Sequence, residues 1–307
     1  MSRGRPKANQ AATSHQFIRA DEVVCDARNQ SSRTCNTGQL RLETRQDFLV
    51  SETAMPKFDS YVICTSPRSG STLLCKLLAA TGISGNPGSY FHRPSIAEWL
   101  ASFELAADAS KPEADILATI FRAAIAKGSR DTGMFGLRLQ RHSFDFFVQK
   151  LAVLHPERSS DLQRIEAAFG RTLFLHLTRL DKVEQAVSLV KAEQTGLWHA
   201  APDGTELERT APPSAPVYNS DEIRTWYERF AAYDRAWNDW FEMQGIEPFR
   251  IAYEALSADP LGSLRKVLSR LGLKCEAASG ITPGVEKLAD ATNHEWATRF
   301  RLEHNIA

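Results

Sequence analysis

Seven consecutive residues, Ser66-Pro67-Arg68-Ser69-Gly70-Ser71-Thr72, have the types and spacing of an anion-binding loop. An apolar run precedes them and an amphipathic run follows. A loop of small residues between a strand and a helix lets backbone N–H groups converge on an anion, and the helix dipole favours negative charge at the same point. Gly70 has no Cβ to block close approach. Ser69, Ser71 and Thr72 add hydroxyl donors, and Arg68 adds a rigid fork of charge. The nucleotide P-loop reads G-x-x-x-x-G-K-S/T; here Gly70 and Thr72 match, but Thr65 replaces the first Gly and Ser71 the Lys. Without that Lys a triphosphate loses its main β/γ contact, so the loop is P-loop-like but suited to another anion. A strand-to-helix turn with Ser and Thr as caps is the plain structural alternative.

The elements that must position this loop follow from periodicity and breakers. Residues 58–65 read as a buried strand, 66–70 as a turn and 71–81 as a helix ended by Gly82. Further helices are expected at 112–127, 142–154, 160–169, 181–194 (capped by Asp181), 220–244 and 260–271, with a helical end to the polar tail. Further strands are expected at 133–139, 172–178 and 248–253. The stretch 200–220 holds four prolines and reads as a long loop of the kind that forms lids or binding surfaces. Strands alternating with helices predict an α/β protein with a central parallel sheet flanked by helices.

Composition bounds the function. The 307 residues are 43% hydrophobic and 24% charged, ample for a core, and 37 Lys plus Arg balance 37 Asp plus Glu. Zero formal charge gives no bulk attraction for nucleic acid or anionic lipid. Five cysteines with no C-x-x-C pair argue against zinc and redox motifs, and Cys64 and Cys75 lie in apolar runs as small hydrophobes. No apolar run approaches the roughly 18–20 residues of a membrane span, and no apolar segment follows the basic start to make a secretory signal. The cytoplasm is the expected compartment. Residues 1–57 are polar and broken, and are expected to form a disordered extension, with Met55 as an alternative start; the folded domain is expected over 58–307.

Three blocks carry a family resemblance. Ser66 to Leu74 followed by Thr81-Gly-Ile-Ser-Gly-Asn-Pro87 and Tyr90-Phe91, then Leu175-His-Leu-Thr-Arg179 with Asp181 and Gln185-Ala-Val-Ser188, and more weakly His294-Glu-Trp296 with Arg299 and Arg301, resemble the bacterial trehalose 2-sulfotransferase family. The resemblance implies the sulfotransferase version of the P-loop fold and 3′-phosphoadenylyl sulfate as donor, with no metal. It implies that the first block, Ser66 to Thr72, holds the 5′-phosphosulfate and that Arg179 and Ser188 hold the 3′-phosphate. A charged fork at a strand end and a hydroxyl on the next helix suit a phosphate dianion. An Arg making a surface pair and a Ser packing a helix are the plain alternatives.

Sulfuryl transfer needs charge stabilisation, a task for the loop amides and Arg68, an acceptor held in line, and a base. The family has Glu where this chain has Ser89, and a serine is no unassisted base. His92 is the nearest candidate, with Glu98 a weaker one, against the alternatives of a structural loop His and a solvated helix Glu. The acceptor side is expected to draw on Ser89, Tyr90, Phe91 and Trp198, with Trp226 also weighed; most aromatics are simply core. His176 reads as a core histidine, and Arg138 either faces the cleft or makes a surface pair. The expected function is transfer to a hydroxyl of a carbohydrate, trehalose-like or glycolipid, with a homodimer in keeping with the size. A small-molecule P-loop kinase and a non-catalytic nucleotide- or sugar-binding protein are the alternatives.

Overall fold

The computed structural model describes residues 56–108, 110–284 and 288–306. The extension expected over 1–57 lies outside the described residues, apart from its last two. In chain order, β1 (Ser60–Thr65) leads into α1 (Ser71–Ala80), α2 (Ile96–Ser102) and α3 (Glu113–Ser129). β2 (Phe135–Gln140) is followed by α4 (Arg141–Leu154) and α5 (Asp161–Phe169), and β3 (Thr172–Thr178) by α6 (Lys182–Thr195). β4 (Leu197–Ala200) and β5 (Glu206–Arg209) precede α7 (Ser220–Gln244). β6 (Phe249–Ala252), α8 (Tyr253–Ala258), α9 (Pro260–Leu271), a 3-10 turn (Cys275–Ala278) and α10 (Ala291–His304) complete the chain.

The main sheet has the order β2-β1-β3-β6, and every neighbouring pair is parallel. All six residues of β1 are buried, as a strand covered on both faces requires. Phe121, Phe147, Phe169, Trp237 and Trp240 cover one face, and Leu74, Leu77, Leu78, Leu256, Leu264 and Leu268 the other. Each such fully buried side chain contributes about 1.5–3 kcal/mol. A third cluster joins α6, α7 and α10 through Val187, Phe230, Trp296 and Phe300.

The chain leaves β1 toward β2 on one side and leaves β3 toward β6 on the other. The strand order therefore reverses between β1 and β3, and in open parallel sheets ligands bind outside the carboxyl ends at that point. Trp237 fixes this end by donating its indole N–H to the Thr65 carbonyl over 3.0 Å, while Thr65 Oγ1 donates to the Leu177 carbonyl over 2.7 Å.

Two expectations are corrected. The 200–220 stretch is not all loop: β5 pairs antiparallel with β4, setting His199 against Glu208. Gly204 adopts φ 82° at the turn, and the β5 residues Glu206, Glu208 and Arg209 are polar, so the strand carries no apolar alternation to betray it. The strand expected over 248–253 ends at Ala252, and Tyr253 opens α8 instead.

Candidate active site

The loop after β1 is shaped by two left-handed residues, Arg68 at φ 60° and Gly70 at φ 80°. A Cβ on Gly70 would lie 2.5 Å from Tyr253 Cδ2, so only glycine fits there. Gln185 of α6 clamps the loop, donating to Ser66 Oγ over 3.0 Å and to the Pro67 carbonyl over 2.6 Å. Ser69 Oγ is 2.5 Å from Thr65 Oγ1. Ser66 and Ser69 are both buried, and the Ser69 hydroxyl, expected as a donor to the anion, is engaged by Thr65 inside the loop instead. No side chain caps the first turn of α1, and Gly70, Ser71 and Thr72 open onto a cavity of about 320 Å³. Its wall also carries Arg68, Arg179, Ser188, Trp198, His199 and Tyr253.

Arg68 runs sideways along this wall. Its Nε donates to Ser188 Oγ over 3.0 Å, its NH1 to the Trp198 carbonyl over 2.6 Å, and its guanidinium lies 5.9 Å from the centre of a Trp198 ring. Burial, then the nearby Arg179 charge, lowers its pKa to about 10, against the opposing pull of Tyr253 and Glu208. The structure so joins the charge of the first block to the hydroxyl of the second.

Arg179, at the end of β3, is 6% exposed and lies 4.8 Å over the Tyr253 ring. One guanidinium nitrogen reaches Glu184 at 3.4 Å, but its buried Nε has no partner. A buried, unspent guanidinium donor on a cavity wall is a strong anion signal. Arg138, two residues before the end of β2, faces the cleft rather than a surface carboxylate. It donates to Ser89 Oγ over 2.6 Å, to Thr72 Oγ1 over 3.0 Å and to Ser71 Oγ over 3.4 Å.

Several expected residues stand elsewhere. Phe91 is fully buried between Trp99, Phe121 and Phe147, with ring centres 4.7–5.0 Å away. Tyr90 is nearly as buried and donates its hydroxyl to the Asn86 carbonyl. Both rings cover the sheet face, so neither presents a surface to a sugar. Trp226 stacks on Phe230 and holds Arg229 over its ring, outside the cavity wall. Glu98 pairs with Arg93 at the surface. His176 is a core histidine whose Nδ1 lies 3.0 Å from Arg250. His92 is exposed, set edge-on against the His142 ring at 4.9 Å, and does not line the cavity. Partial desolvation, then His142, Arg138 and Arg93, lower its pKa to about 4.

Sequence reasoning missed His199, Gln185 and Tyr253. His199 lies on the cavity wall with Nε2 3.1 Å from Thr72 Oγ1 and 3.6 Å from Glu208 Oε2. No local pattern announces a histidine on a polar hairpin. The C-terminal block proves to be bracing: Arg301 donates to Asp181 Oδ2 over 2.6 Å, Asp181 caps α6, and Trp296 is buried. Among the described residues no group of three or more His, Cys, Asp or Glu side chains converges as metal ligands do.

Two clusters of arginine and hydroxyl groups at the switch point of a parallel sheet, one of them on a strand-to-helix loop lacking the nucleotide lysine, define a protein of the P-loop-like class. Residues 60–303 match the family model described as Stf0 sulphotransferase, and the chain belongs to that family. It is 30% identical over 261 residues to the trehalose 2-sulfotransferase of Mycobacterium tuberculosis (strain ATCC 35801 / TMC 107 / Erdman), covering 79% of this chain and 94% of that one. It is 30% identical over 262 residues to the trehalose 2-sulfotransferase of Mycolicibacterium smegmatis (strain ATCC 700084 / mc(2)155), covering 80% and 95%. A solved sulfotransferase from Alicyclobacillus acidocaldarius superposes with a TM-score of 0.39 at 16% identity, covering 80% of this chain and 94% of that one. The chain is a sulfotransferase, which sets aside the kinase alternative.

Proposed function

We propose that the chain transfers a sulfuryl group from 3′-phosphoadenylyl sulfate to a hydroxyl of a trehalose-like sugar. The observation that carries the donor is the pairing of two anion sites on one cavity. The uncapped first turn of α1 with Arg138 behind it suits the 5′-phosphosulfate; Arg179, with its unpartnered Nε, and Ser188 suit the 3′-phosphate. Arg68 lies between them and balances charge on both. The Tyr253 ring offers an apolar face on the same wall. The sugar acceptor is supported by the two curated relatives, whose names specify trehalose. Trp198 remains the aromatic candidate on the acceptor side, since its ring edges the cavity. Ser89, bonded to Arg138, positions that guanidinium.

The catalytic domain is proposed to span 58–307, and the cytoplasm is proposed as its compartment. Cys64 and Cys75 are buried free thiols, and among the described residues no helix is long and apolar enough to cross a membrane.

Titration calorimetry with adenosine 3′,5′-bisphosphate, against ATP with Mg²⁺, tests the donor. Tight, metal-independent binding of the bisphosphate is expected. Preference for ATP with Mg²⁺ would overturn the reading.

A further inference from the structure

We infer that His199 is the general base that takes the proton from the acceptor hydroxyl. The inference rests on the sulfuryl-transfer reading above. Among the described residues on the cavity wall, His199 carries the only imidazole, the one side chain there with a basic lone pair to offer. The charged residues there, Arg68 and Arg179, are donors with no acceptor lone pair, and no carboxylate is among the described lining residues. Ser89 is occupied by Arg138, and His92 lies off the wall.

The hydrogen-bond network orients the imidazole. Arg138 donates to Thr72 Oγ1 over 3.0 Å, and the same oxygen lies 3.1 Å from His199 Nε2. Thr72 Oγ1 accepts from Arg138 and keeps its own hydrogen, so in the tautomer protonated at Nδ1 it donates to His199 Nε2, and this is the tautomer the proposal requires. An anion seated on the loop competes for that hydroxyl hydrogen and releases the Nε2 lone pair into the cavity beside the transferable group.

The step then balances. The acceptor O–H proton moves to Nε2, and the acceptor oxygen bonds to sulfur. The bond from sulfur to the bridging oxygen breaks, and its electron pair leaves on the phosphate of adenosine 3′,5′-bisphosphate. The imidazolium so formed faces Glu208, its cross-strand neighbour, at 3.6 Å.

The charges around His199 set its working range. Burial, then Arg68 from the loop, Arg138 from β2 and Lys76 from α1, lower its pKa to about 4, while Glu208 from β5 is the one nearby anion. The phosphosulfate of the donor cancels part of that positive field. Donor binding should therefore raise the pKa toward neutrality, where a general base is most effective.

Two measurements on the full chain test this. The first follows imidazole proton resonances against pH, with and without adenosine 3′,5′-bisphosphate. Of the eight histidines, His199 is the one whose signal vanishes in His199→Gln. Its midpoint is expected to rise by about one unit or more with the ligand. A midpoint that stays put while the bisphosphate binds would overturn the inference, whatever the acceptor. The second measures transfer from 3′-phosphoadenylyl sulfate to trehalose. His199→Gln, which keeps a side-chain amide near Thr72, is expected to lower kcat ~10²–10⁴-fold and abolish its acidic limb, with donor KM within about threefold. A kcat within about threefold of the parent would also overturn it. Failure of the parent to bind the bisphosphate would instead sink the donor reading, and the inference with it.

Discussion

Arg68 Nε donates to Ser188 Oγ over 3.0 Å, linking the phosphate loop to the helix after β3 across 120 residues of chain. Both belong to the wall of one cavity, so the loop and α6 are mechanically joined there. Ser188→Ala removes that hydroxyl and a hydrogen bond to a charged group, about 1.5–3 kcal/mol. Affinity for adenosine 3′,5′-bisphosphate should fall roughly 10–100-fold, while adenosine 5′-phosphate, which lacks the 3′ group, is held nearly as before. Equal losses for both ligands would remove Ser188 from the 3′-phosphate.

Arg179 is buried, Glu184 meets one of its terminal nitrogens at 3.4 Å, and its Nε is left without a partner, a donor that a bound anion would satisfy. Arg179→Ala is expected to weaken the bisphosphate by about two orders of magnitude with circular dichroism unchanged. Arg179→Lys should recover only part, because a point charge cannot replace the fork. Unaltered calorimetric affinity in the alanine variant would exclude the assignment.

Gly70→Ala places a Cβ 2.5 Å from Tyr253 at a left-handed position. A loss of roughly 1–3 kcal/mol in unfolding free energy is expected, with donor binding lost as the loop shifts. Urea denaturation checks the first part; a variant as stable as the parent would show that Tyr253 yields freely.

His92→Ala should leave kcat within about threefold of the parent, because the side chain is exposed beside His142 and off the cavity wall. A large loss would return His92 to the chemistry.

Several histidines make stability pH-dependent. Burial is the leading cause that lowers His176, His199 and His92 to about 4, and it lowers His142 as well. Each has a folded pKa below its unfolded value near 6.5, so the unfolded chain binds more protons between those limits. Stability is therefore complete above about pH 6.5 and lost as pH falls toward 4. Thermal unfolding from about pH 7 to about pH 4.5 should show a falling Tm; a flat profile would contradict the desolvation of His176 and His199.

The sequence by itself determined the parallel sheet, the loop at 66–72 and the arginine, Arg179, that ends the strand 172–178. These are local signals: an apolar run buried on both faces, a glycine where a backbone turns, and a charged fork at a strand end. The long helices follow the same way, with 220–244 and 260–271 matching α7 and α9 to the residue. Only the tertiary structure decided which hydroxyls face the anion. Ser69 turns inward to Thr65, four residues back, and Ser66 accepts from Gln185, 119 residues on. It decided that Tyr90 and Phe91 are core, since the bare sheet face needs covering. It also brought His199, from a hairpin with no apolar alternation, to Thr72 over 127 residues of chain. Which polar side chain meets which depends on packing between remote segments, and no local pattern encodes that.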